Sequence, residues 1–255
     1  MTRSTVTRVL KIGGRAQSDP GLADAVRHAS VQSGVVVVHG GGDEVSALQR
    51  RLGMMPTFHG GRRVTTKDDL AIVQMVLSGT VNKRLVAAFV NAGVHAVGIS
   101  GEDDGLLSSR ATVRATLGEV GAPSRVDTRL IDLLVSGGYV PVISPLGRDE
   151  DTGATLNVNG DDAAAEIAIA LEADELVLIA DVAGVMSEGA IIPELDIERT
   201  MALIENGTAR DGMAAKLQAA RRAVERGVAR VRIGNLATIQ SASAGTLITL
   251  SPTAV

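Results

Sequence analysis

Short apolar runs rich in β-branched residues alternate along the whole chain with longer stretches in which apolar positions recur every three or four residues. The first pattern is typical of buried strands and the second of amphipathic helices. Six strands are predicted on this basis, at residues 7–12, 35–39, 95–100, 139–144, 175–181 and 229–233. Because strands and helices alternate, we expect an α/β protein with a mainly parallel sheet and helices on both of its faces.

The longest helical pattern covers residues 67–91 and carries two apolar stripes. The first stripe contains Leu70, Val73, Leu77, Val81, Leu85 and Ala88, and the second, roughly opposite, contains Ile72, Val76, Gly79, Val86 and Val90. A helix that packs on a sheet needs only one such stripe. The second face is therefore expected to be covered as well, either by the chain itself or by a second subunit.

Composition and charge exclude several classes of protein. The chain of 255 residues contains no cysteine, so disulfides and thiolate metal sites are excluded. A net charge of −4 and an aromatic content of 1% argue against a nucleic-acid partner. No apolar run is long enough to span a membrane, and the first residues do not resemble a signal peptide. We therefore expect a cytoplasmic protein without a membrane partner.

A lysine and two glycine-rich turns accompany the first two predicted strands. Residues 13–14 are glycines behind the first strand, which contains Lys11, and residues 40–42 are glycines behind the second, which ends at His39. Glycines leave no Cβ between backbone N–H groups and a bound anion, and a helix that follows adds its positive end. Lys11 either reaches solvent at a sheet edge or meets an anion, and His39 is either structural or a base. The turns favour a site that holds a phosphoryl group in transfer.

Polar residues in two later segments are candidates for binding an acidic substrate. Arg63 follows the glycine-rich residues 60–62 and suits bidentate binding of a carboxylate, although a solvated loop arginine fits equally well. Asn157 and Asn159 lie on one face of an extended segment ahead of Asp161. These polar residues are either helix caps or ligands of a substrate and of a lysine.

Two segments in the second half of the chain are candidates for binding a nucleotide. Asp181 ends a predicted strand, which is where α/β sheets usually place a ligand. Lys216 lies in a basic helix that begins near Asp211, and it either belongs to a solvated face or contacts phosphates. The chain lacks a Gly-x-x-x-x-Gly-Lys-Ser/Thr segment and any His/Glu pair at metal-ligand spacing. We therefore expect neither a P-loop nor a metal site built by protein ligands.

In their order and spacing these motifs resemble the amino acid kinase family along nearly the whole chain. The resemblance implies a three-layer α/β/α sandwich with two lobes. Residues 1–153 would form the N-terminal lobe, which binds an acyl amino acid and makes the dimer, and residues 154–255 the C-terminal lobe, which binds ATP. The polar residues 147–153 would join them.

The resemblance also implies a role for each motif residue. Lys11 and Lys216 would neutralise the transferring phosphoryl group, Asp161 would hold both lysines, and the backbone N–H groups of Gly14 and Gly42 would bind phosphoryl oxygens. The implied substrate-binding residues are Gly41, Gly42, Arg63, Asn157 and Asn159. The implied nucleotide-binding residues are Lys11, Gly13, Gly14, Asp181, Asp211, Met213 and Lys216. Mg²⁺ would be bound mainly through the nucleotide phosphates.

Within the family, the elements at residues 63–65 and 157–159 favour a member that acts on N-acetyl-L-glutamate over aspartokinase, uridylate kinase or carbamate kinase. The implied reaction is ATP-dependent phosphorylation of the side-chain carboxylate to N-acetyl-L-glutamyl 5-phosphate, in arginine biosynthesis. The alternatives are a kinase of carrier-protein-linked α-aminoadipate in lysine biosynthesis, and a catalytically silent nucleotide-binding protein of the same fold. The chain departs from the family pattern at Arg62, Glu102, Gly160 and Ala180.

The resemblance further implies a homodimer formed through the 67–91 helix. Arginine-sensitive members of the family carry an extra N-terminal helix that links dimers into hexamers. Only ten residues precede Lys11 in this chain, which are too few for that helix. We therefore expect a homodimer that arginine does not inhibit.

Overall fold

A computed structural model describes residues 7–187 and 189–250 of the chain. The strands are β1 (Thr7–Ile12), β2 (Gly34–His39), β3 (Phe58–His59), β4 (Arg62–Arg63), β5 (Ala96–Ser100), β6 (Leu107–Ala111), β7 (Val120–Val126), β8 (Val140–Ser144), β9 (Leu146–Asp149), β10 (Thr155–Val158), β11 (Glu175–Ile179), β12 (Met186–Ser187), β13 (Ala190–Ile191), β14 (Glu194–Asp196), β15 (Val231–Gly234) and β16 (Thr246–Thr249).

The α-helices are α1 (Leu22–Gln32), α2 (Gly42–Arg51), α3 (Lys67–Gln74), α4 (Asn82–Asn91), α5 (Arg114–Leu117), α6 (Arg129–Ser136), α7 (Gly160–Ala170), α8 (Ile197–Glu205), α9 (Asp211–Glu225) and α10 (Ala237–Gln240). Short 3₁₀ turns cover Gly14–Ser18 and Asp103–Gly105, and a π-helical segment covers Met75–Val81. None of the helices in the described ranges combines the length and apolarity needed to cross a bilayer.

All six predicted strands are confirmed, and they lie in one sheet of eight strands in the order β14-β16-β15-β11-β1-β2-β8-β5. Neighbouring strands in this sheet are parallel except β15 and β16, which are antiparallel. The mainly parallel sheet expected from the sequence is thereby confirmed. Strands β14 and β16 were not predicted, because runs of three or four residues carry little periodicity.

Alternate residues of the central strands enter two separate hydrophobic clusters, one on each face of the sheet. Val9 of β1 packs with helices α6, α7, α8 and α9 on one face, and its neighbour Leu10 packs with α1, α2, α3, α4 and α10 on the other. Side chains of a strand point alternately to opposite faces, so a strand that is apolar throughout has to be covered on both sides. The three-layer α/β/α sandwich is therefore confirmed.

A small closed barrel of strands β6, β7, β9 and β10 stands beside the central sheet. Within it, residues 147–153 form part of the β9–β10 hairpin, where the Asp149 N–H donates to the Ala154 carbonyl at 2.7 Å. The segment interpreted as a joint between lobes is thus a tight turn in this structure. The lobe boundaries at residues 153 and 154 stay a prediction.

The helix predicted over residues 67–91 is present as α3, the π-helical segment and α4 in sequence. A capping box starts it, in which the side chains of Thr66 and Asp69 each bind the other residue's backbone N–H. The buried face contains Ile72, Val73, Val76, Leu77, Val81, Leu85 and Phe89. The prediction of two opposite stripes was therefore wrong in detail: Ile72 and Val76 share the buried face, whereas Gly79 and Val90 are exposed. A π-helical turn contains more residues than an α-helical turn, so it changes which residues of α4 point toward the core.

Candidate active site

Three of the central strands deliver the predicted functional segments to the same edge of the sheet. β1 lies between β2 and β11, and all three run parallel. The chain therefore leaves β1 through Gly13 and Gly14, β2 through the glycines at 40–42, and β11 through Asp181, all at the carboxyl ends of the strands. Ligands of open α/β sheets bind in the crevice at such a point.

A buried carboxylate with two ammonium groups lies at this edge. The Asp161 Oδ1 is 3.0 Å from the Lys11 Nζ and 3.1 Å from the Lys216 Nζ. The Asp161 Oδ2 is 3.2 Å from the Lys216 Nζ. The three residues come from β1, from the first turn of α7 and from α9. The structure thus brings together the three residues to which the sequence resemblance assigned the transfer of the phosphoryl group.

Two glycines and an asparagine make this contact possible. A Cβ at Gly160 would lie 3.3 Å from the Lys11 Cε, and one at Gly13 would lie 2.6 Å from the Lys11 Nζ. Asn159 caps α7, because its side-chain oxygen accepts from the backbone N–H groups of Asp161 at 2.8 Å and Asp162 at 3.2 Å. Lys11 therefore passes over glycines to a carboxylate whose helix is fixed by its own cap.

Burial and the neighbouring charges shift the pKa values of two of these groups. Burial raises the pKa of Asp161, but the two ammonium groups outweigh it and hold that pKa below its usual value. Burial and the nearby charge of Lys11 lower the pKa of Lys216 to about 8, against the attraction of Asp161. The site is therefore a carboxylate outnumbered by cations, which is suited to an anionic ligand.

An open cleft beside the Lys216 ammonium group carries most of the residues predicted for a nucleotide. Its lining contains Gly13, Gly14, Asp181, Met213 and Lys216. Gly14 has a φ of +55°, and a Cβ there would lie 3.4 Å from the Asp181 Oδ1. The glycine corner, the buried ammonium group and the thioether fit a phosphate chain with an apolar group attached. Asp211, the first residue of α9, is exposed and does not line this cleft.

A second cleft is lined by all five residues predicted to bind the acceptor: Gly41, Gly42, Arg63, Asn157 and Asn159. The Asn157 Nδ2 donates to the Thr65 Oγ1 at 3.0 Å. The Asn159 side-chain oxygen accepts from the start of α7, so its NH₂ group is the part that can donate to a ligand.

The guanidinium group of Arg63 is held from behind by helix α2. Its Nη2 donates to the Gly42 carbonyl at 2.8 Å and to the Ser46 Oγ at 2.7 Å, and its Nη1 donates to the Gln49 Oε1. The Arg63 Cζ lies 4.8 Å from the centre of the Phe58 ring. Burial lowers the pKa of Arg63, which remains a cation at any working pH. The group is therefore fixed in place and keeps N–H donors for a ligand.

Ser46 and Gln49 are site residues that the sequence reasoning missed. They are three residues apart on α2, and both are buried. The Gln49 Nε2 donates to the Asp69 Oδ1 at 2.5 Å, so Asp69 both caps the long helix and orients Gln49. The signal available in the sequence was two polar residues at helical spacing after a glycine turn.

His39, left ambiguous by the sequence, has a structural role. It is fully buried, its Nδ1 is 2.8 Å from the Gly40 carbonyl, and its Nε2 is 3.1 Å from the Asn82 Nδ2. Burial lowers its pKa to about 4, so the ring is neutral, donates to the carbonyl and accepts from the amide. The ring ties the second glycine turn to the long helix. A Cβ at Gly41 would lie 2.7 Å from the Leu77 Cδ2, so a larger residue in this turn would displace a side chain of the long helix.

No group of three or more acidic or histidine side chains suited to a metal ion occurs within residues 7–187 and 189–250. Lys216 lines one cleft, and Gly160, which lines the other, lies against the Lys11 side chain. Two clefts beside a pair of ammonium groups suit the transfer of a phosphoryl group between two bound molecules, which needs alignment and neutralisation of charge.

Comparison with known proteins agrees with this geometry. The sequence profile of the amino acid kinase family matches residues 6–235. An acetylglutamate kinase of Methanopyrus kandleri is 45% identical over 240 residues, covering 89% of this chain and 94% of that protein. An acetylglutamate kinase of Pseudothermotoga lettingae is 40% identical over 237 residues, covering 90% of this chain and 84% of that protein. The crystal structure of smu.665 from Streptococcus mutans UA159 has a TM-score of 0.88 and 30% sequence identity, covering 96% of this chain and 99% of that one. The chain belongs to the amino acid kinase family.

Proposed function

We propose that the protein transfers the γ-phosphoryl group of ATP to the side-chain carboxylate of N-acetyl-L-glutamate and forms N-acetyl-L-glutamyl 5-phosphate, in arginine biosynthesis. The observation that carries the proposal is the contact of both Lys11 and Lys216 with Asp161, beside the two clefts. Relatives at 40% and 45% identity that bear the name acetylglutamate kinase support the choice of acceptor.

The residues at the carboxyl ends of the central strands, together with Asp161 and Lys216, would act on the phosphoryl group. Lys11 and Lys216 neutralise the charge on its oxygens, and the backbone N–H groups of Gly14 and Gly42 donate to them. Asp161 orients the two ammonium groups. It need not remove a proton, because a carboxylate acceptor is already ionised at neutral pH. Mg²⁺, bound mainly through the phosphates, would shield the charge of the nucleotide.

The two clefts would hold the two substrates. ATP occupies the side lined by Gly13, Asp181 and Met213, with Asp211 at the start of the neighbouring helix. The acylated amino acid occupies the other side, where Arg63 binds its free carboxylate and where Gly41, Asn157 and Asn159 complete the site. This arrangement points the side-chain carboxylate of the acceptor toward the lysines.

The test is release of ADP in a coupled assay, with and without millimolar N-acetyl-L-glutamate. We expect release that depends on the acceptor, and much weaker turnover with free L-glutamate and with N-acetyl-L-α-aminoadipate. A single methylene gives about 10–200-fold discrimination, so the longer acceptor is the sharper comparison. No turnover of N-acetyl-L-glutamate would contradict the proposal, and turnover only of a carrier-linked aminoadipate would favour the lysine-pathway alternative.

We further propose a homodimer formed through the exposed face of the 67–91 helix, and a cytoplasmic location, where ATP and free amino-acid derivatives are pooled. Met75 and Val90 on that face are 57% and 52% exposed in the single chain, and Gly79 between them allows close approach of a second helix. Light scattering should give twice the mass of the chain. Met75→Glu should lower it to a monomer, and an unchanged mass would contradict this interface.

A further inference from the structure

Arg62 lies on the hairpin that forms one wall of the acceptor cleft. The hairpin pairs β3 with β4, so that Arg62 is opposite His59, next to Arg63. The start of α7, at Asn159 and Gly160, also lines this cleft. A side chain that reaches from the hairpin to α7 therefore crosses between two parts of the cleft lining.

The Arg62 side chain makes that crossing through Asp162. Its Nη2 is 2.7 Å from the Asp162 Oδ2. Asp162 is 5% exposed, and its other oxygen accepts from the Arg222 Nη2. Arg222 lies on α9, the helix that carries Lys216. One buried carboxylate thus joins the hairpin of the acceptor cleft to both helices that carry the Asp161–Lys216 pair.

The strength of this connection suits reversible closure. The side chains of Arg62 and Arg222 are 32% and 33% exposed, so solvent partly screens their ion pairs with the buried Asp162 carboxylate. The Arg62 Nη1 is buried and has no hydrogen-bond partner among the described residues, which makes the closed position less favourable. An acceptor has to enter and a product has to leave this cleft, so a wall that opens at moderate cost is required.

We propose that Arg62 is a positioning residue whose ion pair with Asp162 holds the hairpin closed over the acceptor. The proposal rests on the proposed function, because it names what closes the site for N-acetyl-L-glutamate. Arg62 acts by setting the distance between the hairpin and α7, whereas Arg63 is anchored to α2.

The kinetic test compares Arg62→Leu and Arg62→Lys with a matched control, Glu166→Gln. Glu166 also lies on α7 and accepts from the Arg226 Nη1 at 2.6 Å, but this pair lies outside the clefts. Arg62→Leu should raise the KM for N-acetyl-L-glutamate roughly tenfold, as expected for one lost charged hydrogen bond. The KM for ATP and kcat should change by less than about threefold, within the effect of an exposed ion pair. Arg62→Lys should recover part of the loss, and Glu166→Gln should match the wild type.

Hydrogen exchange at residues 57–65 of the free protein gives a second readout that needs no turnover. Arg62→Leu should speed exchange across the hairpin severalfold over the wild type, and Glu166→Gln should not. Unchanged exchange in Arg62→Leu, or equal effects of Arg62→Leu and Glu166→Gln on every kinetic parameter, would overturn the proposal. A wild type without turnover would remove the proposed function, and the exchange data would still decide whether Arg62 closes the hairpin.

Discussion

Replacing Asp161 by asparagine removes one charge and almost no volume from the centre of the site. The ammonium groups of Lys11 and Lys216 would then lie together without a counter-ion. Both nitrogens are within 3.1 Å of the same oxygen, which places them no more than about 6 Å apart. At an effective dielectric constant of about 20, their repulsion is about 3 kcal/mol. Removal of one partner from a buried ion pair costs about 3–5 kcal/mol in all.

Asp161→Asn should therefore lower the Tm at pH 7 by roughly 6–20 °C, given about 2–4 °C per kcal/mol for a domain of this size. Circular dichroism during thermal unfolding measures the change, with Glu166→Gln as the control on the same helix. The kcat should also fall by about two orders of magnitude or more, because both lysines lose their orientation.

The pH dependence of this loss tests its electrostatic origin. The pKa of Lys216 is already lowered to about 8 in the wild type, and it should fall further in Asp161→Asn. A lysine whose pKa is lower in the folded state destabilises the fold below that pKa, and the penalty is relieved as pH rises toward its unfolded value. The difference in Tm between variant and wild type should therefore be smaller at pH 9 than at pH 7. An unchanged Tm at pH 7, or a difference that grows with pH, would refute this reasoning.

Three further predictions concern the same site, each measured by steady-state kinetics. Gly13→Ala should lower kcat by about tenfold or more, since its Cβ would lie 2.6 Å from the Lys11 Nζ; an unchanged kcat would contradict the placement of Lys11. For the wild type, kcat/KM for ATP should fall above pH about 8 as Lys216 loses its proton, and Lys216→Arg should abolish this decline; a decline that persists in the variant would assign it to another group. Arg63→Leu should raise the KM for the acceptor by about 100-fold and leave the KM for ATP unchanged; equal rises would argue for a general loss of structure.

The sequence predicted the elements and contacts whose signals are local. Apolar runs located the strands of the central sheet that bring Lys11 beside the second glycine turn, and the apolar periodicity of residues 67–91 located the long helix. The family resemblance, and not periodicity, linked Asp161 to both lysines.

Contacts between residues far apart in the sequence were not predictable from local patterns. Arg62 and Asp162 are 100 residues apart, and neither segment carries a local pattern that predicts their contact. The π-helical turn was not predicted for a different reason: a stripe counted at a period of 3.6 residues assumes a regular α-helix. The barrel of β6, β7, β9 and β10 likewise depends on pairings between short strands of mixed direction.

The turnover of Lys11→Ala tests most directly whether two ammonium groups act on one phosphoryl group. The assay is release of ADP at saturating ATP and N-acetyl-L-glutamate, with folding checked by circular dichroism. We expect kcat to fall by about two orders of magnitude or more, comparable to the loss of a preorganised donor to a developing anion. A folded Lys11→Ala variant that turns over at nearly the wild-type rate would contradict the account.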